Sequence, residues 1–587
     1  MKKNRKLILR VIVGIIMVVI VVYGVMGVIV YSSAGRYPTG RPTPPPHIRS
    51  LIWPTIGYPE FASGGGLLRA EILIPGTAAG STGTFTATLT PARAELDGLA
   101  YTMQAAGYSR GVSRRWPTGT MHGSEQVWEA VFRLPADAVP ELYDLNVSAA
   151  IAGRSVSDAQ RHSVSIVAPG REGDFTFISL ADVHVHQQNV SGFLFPQINK
   201  GIAPDGRPLF FERAIDQVNL TRPDFAVILG DCVLAQHAPG EYLPEFKWFY
   251  AELARFQVPV FVLPGNHDSY VNEVDGKTAW EENLGPLFYS FDFGGAHFLA
   301  VDTNQWPVSD RIIMEKVGLV SYPRKWQGQV LAASDERKPQ TYVGQLAWMR
   351  RDLAKYFDAQ PTFMMMHHDP FRPNGKPVSW KNERFAGVFA LGGGGVGSMA
   401  LKELASRYTV DYFLTGHLHS DYIGNAQWSN RRGSTAFVNQ TMVYFDEGRE
   451  KDSYPGYRLW RVKDGTASGY TYLDDFHSMP LYDGSNLKGE TDLGKLNTVA
   501  LSGGGTPSGF SVQSYLGVPV QIRGLIGEFP AGARSRTAGA QIYQSVPVPG
   551  DPSRVLLYLS TALPAGQPGP DPSTPGVPAR ATVTAVR

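Results

Sequence analysis

Five apolar runs in the middle of the chain each end in side chains that can bind a metal ion. The runs read FTFISL, FAVIL, VPVFVL, TFMMM and DYFLT. The side chains that follow them are, in chain order, Asp182 and His184; Asp231; Asn266, His267 and Asp268; His367 and His368; His417 and His419. Unbroken apolar runs of this length are typical of strands buried on both faces of a sheet. Because functional groups gather where such strands end, the pattern predicts one site built from five strand ends.

The residue types at these strand ends favour a divalent metal ion. Carboxylate, imidazole and amide groups suit borderline ions such as Zn, Mn, Fe or Co. In the D-x-H run at Asp182 and the H-x-H run at His417, alternation along an extended chain puts both side chains on the same side. One buried histidine or one Gly-Asp turn is usually structural. Five such clusters in one order are expected of a metal or catalytic site.

Helical segments separate the apolar runs and predict an α/β domain over residues 174–483. The predicted helices are Phe211–Leu220, Leu243–Phe256, Val343–Phe357 and Ser398–Tyr408. Apolar strands that alternate with helices indicate a sheet covered by helices on its faces.

Two β-rich regions flank this domain. Residues 61–168 show short runs with period-two alternation, such as TFTATLT and QVWEAVFRL, which predict a β-sandwich like those of immunoglobulin or fibronectin type III modules. Residues 486–587 contain similar runs, such as VPVQIRGLI and RVLLYLST, and are expected to form a second β-domain.

The N-terminal segment predicts a membrane anchor. Residues 11–31 carry no charged side chain, and about 20 apolar residues span a bilayer as a helix. Lysines and arginines precede this stretch, and the first acidic residue is Glu60, so the N-terminus is expected in the cytoplasm and the catalytic part outside. We therefore assign residues 1–34 to a basic tip and single-pass anchor and residues 35–60 to a Pro-rich linker. A cleaved signal peptide, which would make the protein secreted, is the alternative.

The overall charge and the cysteine count exclude other classes of protein. A formal net charge of +2 does not fit a surface built for nucleic acid, so we expect no specific nucleic-acid binding. The single cysteine, Cys232, cannot form an intrachain disulfide, and we interpret it as a small buried apolar residue. The composition does not indicate an oligomeric state.

The ordered set D-x-H, G-D, G-N-H-D, H and G-H-x-H resembles the calcineurin-like metallophosphoesterase superfamily over about residues 174–473. The resemblance implies a four-layer αββα sandwich of two sheets flanked by helices. It also implies a two-metal centre with these ligands: Asp182, His184 and His419 at one ion, Asn266, His367 and His417 at the other, and Asp231 as the bridge. Family precedent places the ligand of the H-H-D-P run at His367 rather than at His368.

The resemblance further implies a catalytic role for His267, which would stabilise the transition state or protonate the leaving oxygen, with Asp268 orienting its ring. His186, His368 and His237 are candidates for supporting or substrate contacts. Two ions would bind a bridging water, lower its pKa, and direct the hydroxide at phosphorus. A small-molecule phosphoester is the expected substrate.

Departures from subfamilies favour phosphodiesters. Protein Ser/Thr phosphatases carry an arginine soon after the G-D motif, and purple acid phosphatases carry a tyrosine three residues after the aspartate. Here the sequence reads GDCVLAQHAPG, with Leu234 at the tyrosine position. The closer likeness is to the branch of cyclic-nucleotide and glycerophosphodiester phosphodiesterases. A phosphomonoesterase of the same fold and an inactive cell-surface binding protein remain alternatives.

Overall fold

Strands dominate the computed structural model of the 587-residue chain. The structure describes residues 13–14, 17–18, 21, 25, 45–168, 173–185, 191–192, 195–196, 209–235, 242–271, 274–305, 344–357, 361–369, 398–408, 410–427, 434–444, 454–470, 478–481, 496–503, 506–514, 516, 519–536, 540–567 and 577–586. No helix among these residues is long and apolar enough to cross a membrane. Most of the predicted anchor, residues 11–31, lies outside the described residues.

The N-terminal region is an eight-stranded arrangement. Its strands are β1 Leu51–Trp53, β2 Glu60–Ser63, β3 Leu67–Ile72, β4 Gly83–Pro91, β5 Tyr101–Val112, β6 Gln126–Arg133, β7 Leu142–Ile151 and β8 Arg154–Val167, with a 3-10 turn at Ala94–Leu96. The strand order is β1-β3-β6-β5-β4-β7-β8-β2. Strand β5 pairs with β4 up to Gln104 and with β6 from Ala105 onward. Apolar residues from both halves, such as Trp128 and Leu145, share one buried core.

Part of the segment predicted as a linker is instead core. Within residues 35–60, Trp53 and Tyr58 are 1% and 2% exposed and belong to the apolar core of the middle region. The ring of Tyr58 stacks on Tyr289 with centroids 4.2 Å apart, and the amide of Val262 donates to the carbonyl of Gly57 at 3.0 Å. The stretch LIWPTIGY contains only one proline and several apolar residues. Burial of its aromatic rings favours packing against the core over an extended linker.

The middle region contains two six-stranded mixed sheets with helices. Its elements are β9 Asp174–Leu180, β10 Ser191–Gly192, β11 Phe195–Pro196, α1 Leu209–Thr221, β12 Phe225–Leu229, α2 Tyr242–Leu253, β13 Val260–Leu263, α3 Gly276–Glu281, β14 Tyr289–Phe293, β15 Ala296–Val301, α4 Gly344–Lys355, β16 Thr362–Met366, α5 Ser398–Arg407, β17 Tyr412–Thr415, β18 Tyr422–Gln427, β19 Ser434–Asn439, β20 Gly456–Lys463, β21 Thr466–Tyr470 and β22 Met479–Pro480. One sheet has the order β13-β12-β9-β20-β21, with β22 beside β20. The other has the order β14-β15-β16-β17-β19-β18. The mixed α/β class predicted from the sequence is therefore present.

Three apolar cores hold these elements together. Alternate residues of a strand point to opposite faces, so Phe177 packs between the two sheets while Ile178 faces helices α1 and α2. In the second sheet Phe363 packs towards the first sheet, whereas Met364 belongs to a separate core with α4 and α5. The sheets thus pack face to face with helices on their outer sides, and their parallel strands end at the same edges.

The C-terminal region is also made of strands. These are β23 Leu496–Gly503, β24 Thr506–Ser514, β25 Val520–Pro530, β26 Arg534–Ser535, β27 Gln541–Val548, β28 Asp551–Leu563 and β29 Ala579–Val586, in two sheets with the orders β23-β24-β29-β26 and β25-β28-β27. Buried residues of both sheets, such as Val512 and Leu525, share the core of helix α1. A Cβ on Gly524 would lie 1.9 Å from the carbonyl oxygen of Asn219, so β25 packs directly against this helix. The division of the chain into separate domains stays a prediction.

Candidate metal centre

The polar clusters predicted from the sequence all lie just beyond strand ends. Asp182 and Asp231 each stand two residues after the last residue of a strand, β9 and β12, which are parallel neighbours. His367 directly follows β16, and His417 stands two residues after the parallel strand β17. Asn266 follows β13, which lies parallel to β12. Since parallel strands end at the same edge of their sheet, the five clusters meet at one place.

The first group consists of Asp182, His184 and His419. The Nε2 atoms of the two histidines are 3.2 Å apart, and Nε2 of His419 is 3.3 Å from Oδ1 of Asp182. Nε2 of His184 is 3.9 Å from the same oxygen. All three side chains are buried. These are the residues that the family resemblance assigns to the first ion.

Asp231 lies between this group and His367. Its Oδ2 atom is 3.1 Å from Nε2 of His367 and 3.7 Å from Nε2 of His184. His367 in turn has its Nε2 atom 3.2 Å from Oδ1 of Asn266. One carboxylate therefore contacts residues of both predicted ion positions, which is the arrangement that a bridging ligand requires.

His417 completes the side of the centre that His367 occupies. Its ring centroid is 5.1 Å from that of His367 and 4.0 Å from that of His368. One ring nitrogen from each of these three histidines lies within 4.8 Å of the others. The backbone amide of His417 donates to the carboxylate of Asp182 at 2.9 Å and 3.1 Å, which ties the two sheets together at the site.

The donor set fits divalent metal ions. Nδ1 of His367 donates to the carbonyl of Leu229 at 2.8 Å, so when the ring is neutral its lone pair is on Nε2, the nitrogen that lies 3.1 Å from Asp231. Two buried imidazole nitrogens face each other at 3.2 Å beside a carboxylate in the first group. A divalent cation between such nitrogen and oxygen atoms satisfies all of them at once. The described residues thus contain candidate metal-binding clusters of the predicted composition.

The charges at the site perturb its titrating groups in opposite directions. Burial lowers the pKa of His184 well below its ordinary value, and the neighbouring His267 lowers it further. Burial alone would lower the pKa of His367 too, but Asp231 and Asp182 raise it to about 9. Burial opposes ionisation of Asp231, yet His367 and His267 hold the pKa of this carboxyl well below its usual range. The centre therefore stabilises a positive charge next to Asp231.

Five of the predicted ligands have a left-handed backbone. The φ angles are 52° at Asp182, 46° at His184, 53° at Asp231, 68° at His417 and 56° at His419. Positive φ is uncommon for residues other than glycine and concentrates at functional sites. The surrounding strands hold these residues in a conformation that aims both side chains of each H-x-H or D-x-H run into the centre.

Two glycines before the ligands leave no room for a side chain. A Cβ on Gly265 would lie 2.1 Å from Oδ1 of Asp231 and 2.3 Å from its backbone nitrogen. A Cβ on Gly416 would lie 2.6 Å from Oδ2 of Asp182. The glycines of the G-N-H-D and G-H-x-H motifs thus allow the backbone to pass directly behind two carboxylates.

His267 faces the same centre, but Asp268 does not hold its ring as the resemblance implied. Nδ1 of His267 is hydrogen-bonded to the carbonyl of Leu234, and its Nε2 lies 3.8 Å from Oδ2 of Asp231. Among the described residues no hydrogen bond joins Asp268 to the His267 ring. The Asp268 carboxylate instead accepts from the amides of Gly265 at 2.8 Å and Cys232 at 3.0 Å.

The correction at Asp268 has a physical reason. The buried amides of Gly265, Cys232 and Val233 need an acceptor, and the Asp268 carboxylate supplies it. Burial and the nearby Asp231 raise the pKa of Asp268 to about 7, against the amide hydrogen bonds that lower it. Asp268 therefore holds the backbone beside Asp231 rather than the ring of His267.

Strand β15 also ends at the centre, where it brings Asp302 and Thr303, two residues that the sequence analysis did not single out. Its end is followed by Asp302, Thr303 and Asn304, all fully buried. Oγ1 of Thr303 is 3.0 Å from Nδ1 of His368. The signal was present, since the apolar run AHFLAV is followed directly by these polar residues. His186 and His237, the two remaining candidates, lie outside the described residues.

Comparison with known proteins identifies the middle of the chain. Residues 175–421 match the family model of calcineurin-like phosphoesterases. These residues form a calcineurin-like phosphoesterase domain. The match supports metal-dependent hydrolysis of phosphoesters by this domain, and it agrees with the convergence of histidine and aspartate side chains there.

The search of curated proteins found no match. Among solved structures, the TT1561 protein of Thermus thermophilus is 11% identical with a TM-score of 0.27, and the overlap covers 50% of this chain and 98% of that one. A cold-active protein tyrosine phosphatase is 14% identical with a TM-score of 0.18, covering 56% and 94%. Both TM-scores are below 0.5, so neither likeness supports a structural argument.

Proposed function

We propose that the chain hydrolyses phosphodiesters with two divalent ions held by seven residues of the phosphoesterase domain. The ligands would be Asp182, His184, Asp231, Asn266, His367, His417 and His419. The observation that carries this proposal is the position of Asp231, whose Oδ2 atom lies 3.1 Å from His367 and 3.7 Å from His184. A carboxylate between two imidazole groups is suited to bridge two ions.

The protein side chains divide the work at such a centre. Bound ions would acidify a water molecule and neutralise the charge of the phosphate oxygens, and Mn, Zn, Fe and Co all fit the donor set. Asp182 and Asp231 supply the negative charge that holds the ions. The Leu229 carbonyl fixes the tautomer of His367, and the His417 amide fixes the carboxylate of Asp182.

His267 is the proposed acid for the leaving oxygen. The Leu234 carbonyl binds its Nδ1 atom and so aims Nε2 at the centre, where it lies 3.8 Å from Asp231. Because Nδ1–H is given to this carbonyl, Nε2 carries a proton only in the imidazolium form, and in that form the ring can donate it to an oxygen above the ions. Burial lowers the pKa of His267 against the opposing effect of Asp231, so the imidazolium is a stronger acid but a smaller fraction of the rings is protonated.

The segment after Asp231 supports a preference for phosphodiesters. It reads Cys232-Val233-Leu234-Ala235 and contains neither the arginine of protein Ser/Thr phosphatases nor the tyrosine of purple acid phosphatases. Leu234 is 5% exposed, so the position that carries tyrosine in purple acid phosphatases is apolar and buried. This difference favours the diesterase branch over acid phosphatases.

The N-terminal sequence supports an extracytoplasmic location. Residues 11–31 are apolar, and the positive charge that precedes them favours a cytoplasmic N-terminus. We therefore place the phosphoesterase domain outside the cell membrane, anchored by one helix. Labelling of an engineered cysteine at exposed Asp97 in intact cells by a membrane-impermeant reagent tests this; a label seen only after lysis would contradict it.

One assay tests the reaction itself. Full-length protein is stripped of metal, reloaded separately with Mn, Zn, Fe or Co, and given bis(p-nitrophenyl) phosphate or p-nitrophenyl phosphate. We expect metal-dependent turnover with a higher kcat/KM on the diester. A higher kcat/KM on the monoester would make it a phosphomonoesterase. No turnover with any ion would instead support an inactive cell-surface binding protein.

A further inference from the structure

The tautomer of His368 follows from its contacts with Thr303. Strands β15 and β16 run parallel with Val301 opposite Met366, so two residues further on Thr303 stands opposite His368. The hydroxyl oxygen of Thr303 accepts the backbone N–H of His368 at 3.2 Å and lies 3.0 Å from its Nδ1 atom. Both residues are buried, with exposures of 0% and 2%.

A hydroxyl has one hydrogen to donate. In the described part of the chain, the Thr303 hydroxyl has hydrogen bonds only with the amide and Nδ1 of His368. The amide is a donor and fills one lone pair of the hydroxyl oxygen. If Nδ1 also donated to this oxygen, the hydroxyl hydrogen would have no acceptor among the described residues, so Nδ1 is assigned as its acceptor. A neutral His368 ring then carries its own proton on Nε2.

His367 has the opposite tautomer. Its Nδ1 donates to the Leu229 carbonyl, which leaves the Nε2 lone pair for a metal ion. In His368 the lone pair of Nδ1 is engaged by Thr303, and Nε2 bears the proton. Two adjacent histidines thus differ in what they can do: one can bind a metal ion, and the other can only donate a hydrogen bond.

The position of His368 indicates what it donates to. Its ring contacts that of His417 in a tilted arrangement with centroids 4.0 Å apart, and ring nitrogens of His367, His368 and His417 lie within 4.8 Å of one another. The group that enters this side of the centre is a phosphate oxygen, if the proposed function holds. We propose that His368 is a substrate contact that donates from Nε2 to an anionic phosphate oxygen, and that Thr303 is the residue that positions it.

Binding of inorganic phosphate to metal-loaded full-length protein tests this without turnover. We expect His368→Ala and Thr303→Val to weaken phosphate binding by about tenfold, because a hydrogen bond to a charged group is lost. Metal content should equal that of the wild type in both variants. Thr303→Ser keeps the hydroxyl and should restore most of the affinity. In the double variant, Thr303→Val should add nothing to the loss caused by His368→Ala.

Several results would overturn the inference. Metal loss in His368→Ala would make His368 a ligand, and unchanged phosphate affinity in either variant would remove the contact. Additive losses in the double variant, or no rescue by Thr303→Ser, would give Thr303 a structural role only. The thermal midpoint of the metal-free protein controls for folding, and Thr303→Ala replaces Thr303→Val if the latter does not fold.

The two proposals fail separately. If the wild type binds phosphate with the expected pattern but turns over no ester, the role of His368 stands and the proposed reaction falls. If the wild type hydrolyses esters while His368→Ala binds phosphate as tightly as the wild type, only the role of His368 falls. A metal-loaded wild type that binds no phosphate contradicts the inference directly.

Discussion

Nε2 of His367 lies 3.1 Å from Oδ2 of Asp231, and both residues are at most 1% exposed to solvent. His367 follows a strand of one sheet and Asp231 follows a strand of the other, so this contact closes the edge at which both sheets end. Removing one partner of such a buried pair leaves the other charge without compensation. The pair therefore links the assembly of the fold to the assembly of the metal centre.

Asp231→Asn should disrupt both ion positions at once. The amide is the same size as the carboxylate but has no negative charge to hold two cations. We expect metal content to fall to about one ion per chain or fewer, and kcat to fall by orders of magnitude. Metal analysis and turnover of bis(p-nitrophenyl) phosphate measure the two effects. Asp97→Asn, at an exposed position remote in sequence from the ligands, is the matched control.

His267→Ala should separate metal binding from catalysis. The ring is held by the Leu234 carbonyl with its Nε2 3.8 Å from Asp231, and the family resemblance assigns it to catalysis rather than to the ligands. We expect metal content to remain at the wild-type value while kcat falls about 10²- to 10⁴-fold, as for loss of a general acid. If metal is lost from this variant, His267 is a ligand rather than an acid.

Gly265→Ala should damage the centre although it adds one methyl group. The new Cβ would lie 2.1 Å from Oδ1 of Asp231, so the carboxylate or the backbone must move. Overpacking of this kind costs about 1–3 kcal/mol of stability. We expect a lower thermal midpoint and reduced metal content. Gly107→Ala, where a Cβ would meet no atom within 4 Å, should have neither effect; equal behaviour of the two variants would refute the packing argument.

Glu281 should make the contact between the N-terminal strands and the phosphoesterase domain sensitive to pH. Burial raises its pKa to about 7 from 4.5, although the Met121 amide and Lys277 lower it. A carboxyl with a raised folded pKa contributes stability that is complete below pH 4.5 and is lost as the pH rises through 7. The upper bound of this loss is roughly 3 kcal/mol.

Glu281→Gln should therefore be more stable than the wild type at pH 8 and no more stable at pH 4.5. Glutamine keeps the acceptor for the Met121 amide, which donates to Oε1 of Glu281 at 2.9 Å. Thermal midpoints of the metal-free proteins at the two pH values measure the difference. Asp97→Asn, at an exposed side chain, is the control and should show no such dependence. A gain that is equal at both pH values would contradict the assigned cause.

The sequence predicted the ligand cluster because strand ends impose their own geometry. An apolar run followed by Asp231 or His367 can be recognised in the sequence alone. Parallel strands bring the ends of such runs together. What the sequence did not reveal are contacts that depend on register or on carbonyl groups. Thr303 meets His368 only because β15 and β16 pair in one register, and the Leu234 carbonyl that holds His267 has no side-chain signature.

The flanking regions show the same limit on a larger scale. Period-two alternation predicted the strands of these regions, but it did not predict how the regions pack against the middle of the chain. The rings of Trp53 and Tyr58 in the predicted linker fill the core between the two sheets, and Val512 and Leu525 of the C-terminal sheets pack in the core of α1. An apolar pattern predicts that a residue is buried, but it does not predict which residues pack against it.

The number of ions bound per chain tests the two-metal centre most directly. Full-length protein reconstituted with Mn or Zn, freed of loose metal and analysed by plasma mass spectrometry should hold about two ions per chain, and turnover of bis(p-nitrophenyl) phosphate should rise with their occupancy. A wild type that binds one ion or none under these conditions, or that turns over the ester equally well without metal, would contradict the account.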